Sequence, residues 1–417
     1  MKKTIFVIAD HPMSPSGVGI QTKYMIEAML KTGKYRFVCF GGAIKHENYN
    51  PVKTEEFGDD FIVYPVDGYG NPDMVRSLIR KERPDMLWFM TDPRFWGWLW
   101  EIEDEIRPLM PMVYYHVWDN YPFPRYNKPH YMSCDVIATI SEVTDDIVKT
   151  VAPEVESFYV PHAVNTNIFS KIGDADMRAF KQEFFKEEEG KFVFFWNNRN
   201  ARRKQSGSLL FWFKEFLDKV GHDKAMLLMH TDTKDPNGQD LEIIVRELEL
   251  DQGQVKFSTA KLPATSMSML YNAADCTISV SDAEGFGLAT LESLACATPI
   301  IATKTGGLQQ QLTDGERQFG ISLEPASRAV IGSQEIPYIY EDRLNKDDVI
   351  NALVSMYEMP KEERQKMGDD ARQHVLEKYS LEVYAKRWEE VLDHIIEKHG
   401  SWETRKNYSH WSLGEVK

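Results

Sequence analysis

The sequence of 417 residues has no long hydrophobic run. No apolar stretch approaches the ~20 residues that a helix needs to span a bilayer. The apolar run after Lys2 and Lys3 is short and is followed by Asp10 without a small-residue cleavage site, which favours a buried strand over a signal peptide. We therefore expect no integral membrane segment and a cytoplasmic protein.

Cysteine is scarce, and its spacing lacks the CxxC pattern. The four cysteines are Cys39, Cys134, Cys276 and Cys296. Scattered cysteines argue against a zinc cage and against a disulfide framework. We expect reduced thiols in the core.

Positive charge is outnumbered, with 49 lysines and arginines against 64 aspartates and glutamates, a formal net charge of -15. This balance disfavours non-specific adhesion to polyphosphate or to an anionic membrane surface. Hydrophobic residues make up 42% of the chain, a composition typical of globular proteins. The length suits two domains, each with its own core.

Short apolar runs alternate with amphipathic segments, a pattern that predicts parallel sheets covered by helices. We predict an N-terminal domain over 1–165, a linker over 166–190 and a second domain over 191–380. The predicted strands of the first domain are 4–9, 36–40, 61–64, 86–90, 112–116, 136–139 and 157–160. Those of the second are 191–196, 225–229, 255–258, 276–280 and 299–302.

The segment 381–417 is predicted to begin with a helix that has one apolar face, formed by Trp388, Val391 and Ile395. Such a face needs a partner surface. We expect the helix to cross back onto the N-terminal domain, and the polar tail after it is left unplaced.

The most informative motif is S-D-A-E-G-F-G-L-A-T-L-E over residues 281–292, directly after a predicted strand. Its two glycines allow a tight turn, and the amides at the start of the next helix suit a diphosphate. Glu292, one turn into that helix, can accept hydrogen bonds from a ribose diol. Glu284 lies in the loop, where the sugar of a sugar nucleotide would lie. The predicted donor-binding residues of this motif are Gly285, Phe286, Gly287, Leu288 and Glu292.

A basic loop follows the first strand of the second domain. Arg199 and Lys204 are five residues apart and can converge on one polyanion, where they would stabilise a departing diphosphate. A solvated basic turn is the alternative interpretation of this loop.

The motif over 284–292 resembles the E-x7-E motif of retaining GT-B-fold glycosyltransferases (family 4-like, glycosyl transferases group 1). Residues 298–302, 305–307 and 312–315 resemble the downstream strand and turn of that family. The resemblance implies a GT-B fold of two Rossmann-like domains, a UDP- or GDP-sugar donor and retention of anomeric configuration. It also implies metal-independent catalysis with the donor as substrate and no bound cofactor.

The resemblance assigns further roles. Glu284, Arg199 and Lys204 match the catalytic positions of the family, and His116, at a predicted strand end, matches a histidine that contacts the donor sugar. Gly17 and Gly19 match a glycine-rich loop that approaches the donor phosphates.

Two alternatives remain open from sequence: a GT-B-fold sugar-nucleotide epimerase and a catalytically inactive scaffold that binds nucleotide sugars. The acceptor is equally open, because acceptor loops vary freely on a fixed scaffold. A saccharide, lipid, protein, small metabolite or modified nucleic acid would each be compatible.

Overall fold

The computed structural model describes residues 2–186 and 190–408. The chain forms two units. Of the described residues, the first comprises 2–163, 332–337 and 381–408; the second comprises 164–186, 190–331 and 338–380. The segment 166–190, expected as a linker, thus belongs to the second unit, although its residues 187–189 lie outside the described residues. The end of the predicted C-terminal segment, 409–417, also lies outside them.

The first unit contains an eight-stranded sheet in the order β3-β4-β2-β1-β5-β6-β7-β8. Its pairs are parallel except for the antiparallel pair of β3 with β4. The strands are β1 Lys3–Asp10, β2 Tyr35–Gly42, β3 Val52–Lys53, β4 Phe61–Pro65, β5 Met86–Met90, β6 Met112–His116, β7 Val136–Thr139 and β8 Glu156–Tyr159. Helices of this unit are α1 Gly17–Lys31, α2 Pro72–Glu82, α3 Gly97–Trp100, α4 Glu103–Ile106, α5 Lys128–Met132 and α6 Glu142–Val151.

β5 is apolar along its whole length, as expected of a parallel strand that is buried on both faces. Every residue of Met86–Met90 has no exposed surface. Helix starts are fixed by polar caps: the side chain of Asn71 accepts a hydrogen bond from Met74 N at 3.1 Å, and Ser141 accepts one from Thr144 N at 3.1 Å. These caps satisfy backbone N–H groups that have no partner within the helix.

The second unit contains a six-stranded parallel sheet in the order β11-β10-β9-β12-β13-β14. The strands are β9 Phe192–Asn197, β10 Ala225–His230, β11 Val255–Ser258, β12 Cys276–Ser279, β13 Ile300–Thr303 and β14 Gly320–Leu323. The helices are α7 Asp174–Phe185, α8 Ser206–Val220, α9 Leu241–Glu247, α10 Ala264–Ala273, α11 Leu288–Ala295, α12 Gln309–Leu312, α13 Lys346–Glu358 and α14 Lys361–Lys378.

An antiparallel hairpin of β15 Ser327–Ile331 and β16 Ile339–Arg343 is inserted between β14 and α13. This hairpin and β14 are not among the strands predicted from sequence. Each of these strands has at most three apolar side chains, so neither segment has the continuous apolar character of β5.

The last long helix, α15 Leu381–His399, belongs to the first unit. Trp388 is fully buried, with its ring centroid 4.9 Å from that of Tyr115 and 5.8 Å from that of Trp88. Beyond the helix, Trp402 Nε1 donates to Pro84 O at 2.9 Å. The beginning of the tail is thereby fixed to the same unit.

Two expectations from composition concern thiols and membranes. All four cysteines are buried and unpaired, which confirms the prediction of core thiols. None of the helices within 2–186 and 190–408 is long and apolar enough to cross a membrane.

Candidate functional site

Two loops of the second unit start at neighbouring strands. β9 and β12 are paired in parallel, with Phe194 opposite Cys276. The loop after β9 leads to a 3-10 turn, Arg202–Lys204, and the loop after β12 leads to α11. The carboxyl ends of parallel strands lie at the same edge of a sheet, which is where open α/β sheets bind ligands.

The turn into α11 depends on glycine. Gly287 has φ 89°, and a Cβ at this position would lie 2.4 Å from Leu308 Cδ2. Thr290 Oγ1 and Gln311 Nε2 donate to Gly287 O at 2.8 and 3.0 Å. These contacts fix the start of the helix, where the first N–H groups have no intrahelical partner and favour an anion.

Gly307 holds the first part of the glycine turn, at Glu284 and Gly285. Gly307 N donates to Glu284 O at 3.1 Å, and a Cβ on Gly307 would lie 2.6 Å from Gly285 O. Phe286 is buried, with its ring 5.8 Å from that of Tyr379, whereas Leu288 is half-buried. Of the predicted donor-binding residues here, Phe286 therefore has its side chain in the core.

Glu284 lies between two cations. Its carboxylate accepts a hydrogen bond from Lys204 Nζ and another from Arg203 Nη1 at 3.1 Å. The Lys204 and Glu284 side chains are only 8% and 15% exposed. Burial raises the pKa of Glu284, but the charges of Lys204 and Arg203 outweigh it and leave the pKa below its ordinary value. The structure therefore brings Lys204 and Glu284 together as an ion pair.

Glu292 is held by a chain of hydrogen bonds. Tyr271 on α10, which is fully buried, donates to Glu292 Oε2 at 2.8 Å and accepts from Asn197 Nδ2 at 2.7 Å. Burial raises the pKa of Glu292 to about 7, and the hydrogen bond from Tyr271 opposes that shift. Glu292 thus titrates close to neutral pH, unlike an ordinary surface carboxylate.

Arg199 is placed apart from that ion pair. Its guanidinium forms two hydrogen bonds to Asp235, from Nε at 2.6 Å and from Nη2 at 3.2 Å, and the side chain is 64% exposed. The cation that accompanies Lys204 at Glu284 is Arg203, a residue that the sequence analysis did not assign.

The remaining predicted residues lie in the first unit. His116 has no exposed surface; its Nε2 is 2.7 Å from Tyr131 Oη, and burial lowers its pKa to about 3. Gly17 begins α1, whose first turn is closed by a hydrogen bond from Gly19 N to Ser16 Oγ at 3.0 Å. A Cβ on Gly19 would lie 2.3 Å from Ser14 Oγ, so this turn requires glycine.

Several residues that support the site were missed from sequence. Tyr271 and Gln311 contact Glu292 and the glycine turn from other elements, and Asp282 connects the two loops. Gly306 and Gly307, which also support the glycine turn, lie in the segment 305–307 that resembles the family. No three residues of the metal-ligating types His, Cys, Asp and Glu form a group suited to a metal ion in the part of the chain that the structure describes.

Comparison with solved structures identifies the fold. Sucrose-phosphate synthase from Thermosynechococcus elongatus superposes with a TM-score of 0.75 at 16% identity, covering 95% of this chain and 100% of that one. The Anabaena protein Alr3699/HepE, solved in complex with UDP and glucose, gives a TM-score of 0.68 at 14% identity, covering 94% and 100%. The chain has the GT-B fold.

Residues 178–374 match the family described as Glycosyl transferases group 1. A D-inositol 3-phosphate glycosyltransferase of Acidothermus cellulolyticus is 30% identical over 23% of this chain and 24% of its own length. An N-acetyl-alpha-D-glucosaminyl L-malate synthase of Bacillus anthracis is 23% identical over 63% and 60%. The match thus spans about a quarter of the first of these relatives.

Proposed function

We propose that the chain is a glycosyltransferase that moves a sugar from a UDP- or GDP-sugar to an acceptor hydroxyl with retention of anomeric configuration. The observation that carries this proposal is the cluster at the ends of β9 and β12. There Lys204 pairs with Glu284, and a glycine turn leads to Glu292. A cation, helix amides and two carboxylates match the diphosphate, sugar and ribose of one donor molecule.

In this proposal the donor diphosphate lies on the amides at the start of α11. Lys204 neutralises the charge that develops on the leaving group, an electrostatic contribution that is large in a partly dry site. Arg199 would add to it after release from Asp235. Glu284 binds sugar hydroxyls, and Glu292 binds the ribose diol.

The proposed reaction is a front-face displacement. The acceptor oxygen forms a bond to the anomeric carbon on the face that the diphosphate leaves, while the bond from that carbon to the phosphate oxygen breaks. The acceptor proton passes to the departing phosphate oxygen. In this route Glu284 positions the sugar and takes no proton.

A role for His116 would require a change in the first unit, because its side chain is fully buried against Tyr131. Gly17 and Gly19 lie in the turn that opens α1, where Gly17 is half-buried and Gly19 is buried. We assign them to the approach of the donor phosphates, as the resemblance implies.

The test is a binding and hydrolysis screen of UDP-, GDP- and ADP-sugars against the wild type, Glu292→Ala and Lys204→Met. We expect one nucleotide class to raise the melting temperature of the wild type. Lys204→Met removes the charged hydrogen bond from Lys204 to a bound diphosphate. It should weaken binding by about 1.5–3 kcal/mol, roughly ten- to a hundredfold. The exposed Glu247 on α9 supplies the control, Glu247→Ala, which should bind as the wild type does.

If no sugar nucleotide binds to the wild type, the proposal is wrong. Acceptors come next: the names of the two relatives above contain D-inositol 3-phosphate and L-malate, so small hydroxylated acids are the first to try. Product formation from donor alone, with a changed sugar and no acceptor, would instead indicate an epimerase.

A further inference from the structure

The β15–β16 hairpin lies outside both parallel sheets, yet its second strand ends against the candidate site. Its strands pair from Ser327 with Arg343 to Ile331 with Ile339. The last residues of β16, from Glu341 onward, contact the loop after β12 and the turn after β9. The proposed reaction assigns no role to these contacts.

Arg343 bridges two carboxylates that are almost completely buried. Its Nη1 lies 2.8 Å from Asp282 Oδ2 and its Nη2 lies 2.8 Å from Glu341 Oε2. Both carboxylate side chains are 3% exposed. In addition, Asp342 N donates to Asp282 O at 2.9 Å. Asp282 is two residues before Glu284, so the hairpin is fixed to the loop that carries Glu284.

The same cluster holds the turn that carries Lys204. Arg202 Nη1 donates to Glu341 Oε2 at 2.8 Å, and Gln205 Nε2 donates to Asp282 Oδ2 at 2.8 Å. Asp282 N donates to Arg203 O at 2.8 Å. The residues on both sides of Lys204 are thus connected to the hairpin and to the loop of Glu284.

We propose that Arg343 is a positioning residue of the donor site, which fixes the spacing between Lys204 and Glu284 through Asp282 and Glu341. This inference rests on the function proposed above. A bound diphosphate competes with Glu284 for Lys204, so the direct ion pair cannot hold the two loops together while donor is bound. The bridge made by Arg343 does not involve the ligand and, together with the hydrogen bonds of Asp282 to Arg203 and Gln205, keeps the loops in register.

The bridge requires arginine. A planar guanidinium can donate to two carboxylates at once along fixed directions, whereas a lysine ammonium is a single point charge on a flexible stem. Arg343→Lys keeps the positive charge between Asp282 and Glu341 and is therefore expected to fold. It loses the second fixed hydrogen bond and with it the spacing of the loops.

The inference predicts a ligand-dependent effect. A nucleoside monophosphate reaches the ribose-binding Glu292 but lacks the second phosphate and the sugar that Lys204 and Glu284 would bind. Arg343→Lys should lower the affinity for the diphosphate about tenfold, the equivalent of one charge-assisted hydrogen bond. Its affinity for the monophosphate should stay within about twofold of the wild type.

The experiment is calorimetric titration of the full chain with UMP, UDP, GMP and GDP. It compares the wild type with Arg343→Lys, Arg343→Met and the control Arg328→Met. Arg328 lies on the same hairpin, and its Nε is 2.9 Å from Asp342 Oδ1. Its side chain is 59% exposed, and this ion pair stays within the hairpin. The control should bind every nucleotide as the wild type does, and Arg343→Met should lose more diphosphate affinity than Arg343→Lys.

The outcomes separate the two proposals. If the wild type binds neither diphosphate, the proposed function and this inference both fail. If the wild type binds one of them and Arg343→Lys either matches it or loses mono- and diphosphate equally, only the positioning role is wrong. Should Arg343→Met not fold, Arg343→Lys decides the question alone.

Discussion

Replacing Glu292 by glutamine should change how the stability of the protein depends on pH. Burial raises the pKa of Glu292 to about 7 in the folded protein, from an ordinary value of 4.5. Between these two values the folded chain holds a proton that the unfolded chain has lost. The free energy of unfolding therefore falls as pH rises through this window, and below it the carboxyl is protonated in both states.

The magnitude follows from the pKa difference. The two pKa values differ by about 2.5, which at about 1.4 kcal/mol per pH unit corresponds to about 3.5 kcal/mol across the window, an upper value. Glu292→Gln removes the titrating group and keeps a side chain that can accept the hydrogen bond of Tyr271. The variant should therefore gain stability relative to the wild type as pH rises from about 5 to about 8.

Urea unfolding of both proteins across this pH range measures the effect, because the difference between them removes the contribution of every other titrating group. Glu247→Gln, at an exposed position on α9, serves as the matched control and should run parallel to the wild type. Equal pH slopes for the wild type and Glu292→Gln would refute the burial argument.

The ionisation of Glu292 should also affect nucleotide binding: affinity should rise with pH, whereas the stability of the protein falls. A ribose diol donates hydrogen bonds, and an ionised carboxylate accepts them more strongly than a protonated one. The affinity of the wild type for a nucleoside monophosphate should thus rise as pH passes through about 7. In Glu292→Gln the affinity should be weaker and should lack the rise that is centred near pH 7.

Two further predictions concern stability. Gly287→Ala places a Cβ 2.4 Å from Leu308 Cδ2 at φ 89°, and it should lower the free energy of unfolding by at least about 2 kcal/mol. The control Gly33→Ala has φ 72° but no atom within 4 Å of the added Cβ, so it should lower this free energy by less. Trp388→Ala should cost about 3–5 kcal/mol through the cavity it leaves, and wild-type denaturation midpoints for either variant would contradict the packing described here.

Most strands of the two sheets could be predicted from sequence because they are apolar and buried, whereas β3 and β14 could not. The run at 86–90 is fully apolar and was predicted with its observed bounds. The hairpin could not, since Ser327–Ile331 is mostly exposed or half-buried and carries no such run. The hairpin is held by the pairing of β15 with β16 and by the ion pair of Arg343 with Asp282, which is more than sixty positions away in sequence.

The site was predictable where one short segment carries it. Glu284, Gly287 and Glu292 belong to a single strand-turn-helix, so their spacing fixes their relative positions. The partners of these residues come from distant segments: Tyr271 from α10 and Lys204 from the turn after β9. The pairing of Arg199 with Asp235 is likewise decided by where a second loop folds.

The ion pair of Lys204 with Glu284 bears on how a diphosphate could bind to an acidic chain. With a formal net charge of -15, the protein as a whole repels polyanions, and attraction has to come from local charge. Lys204, Arg203 and Glu284 together carry a net positive charge. The Lys204 side chain is already almost completely buried before ligand arrives, with only 8% of it exposed. An incoming diphosphate then replaces one anion with another beside a cation that folding has already removed from water. This favours binding, because little further desolvation or ordering of the lysine is required. When the diphosphate takes the place of Glu284 beside Lys204, the Glu284 carboxylate becomes available to the sugar hydroxyls of the same donor. This exchange requires the two loops to keep their spacing, which is the role we propose for Arg343.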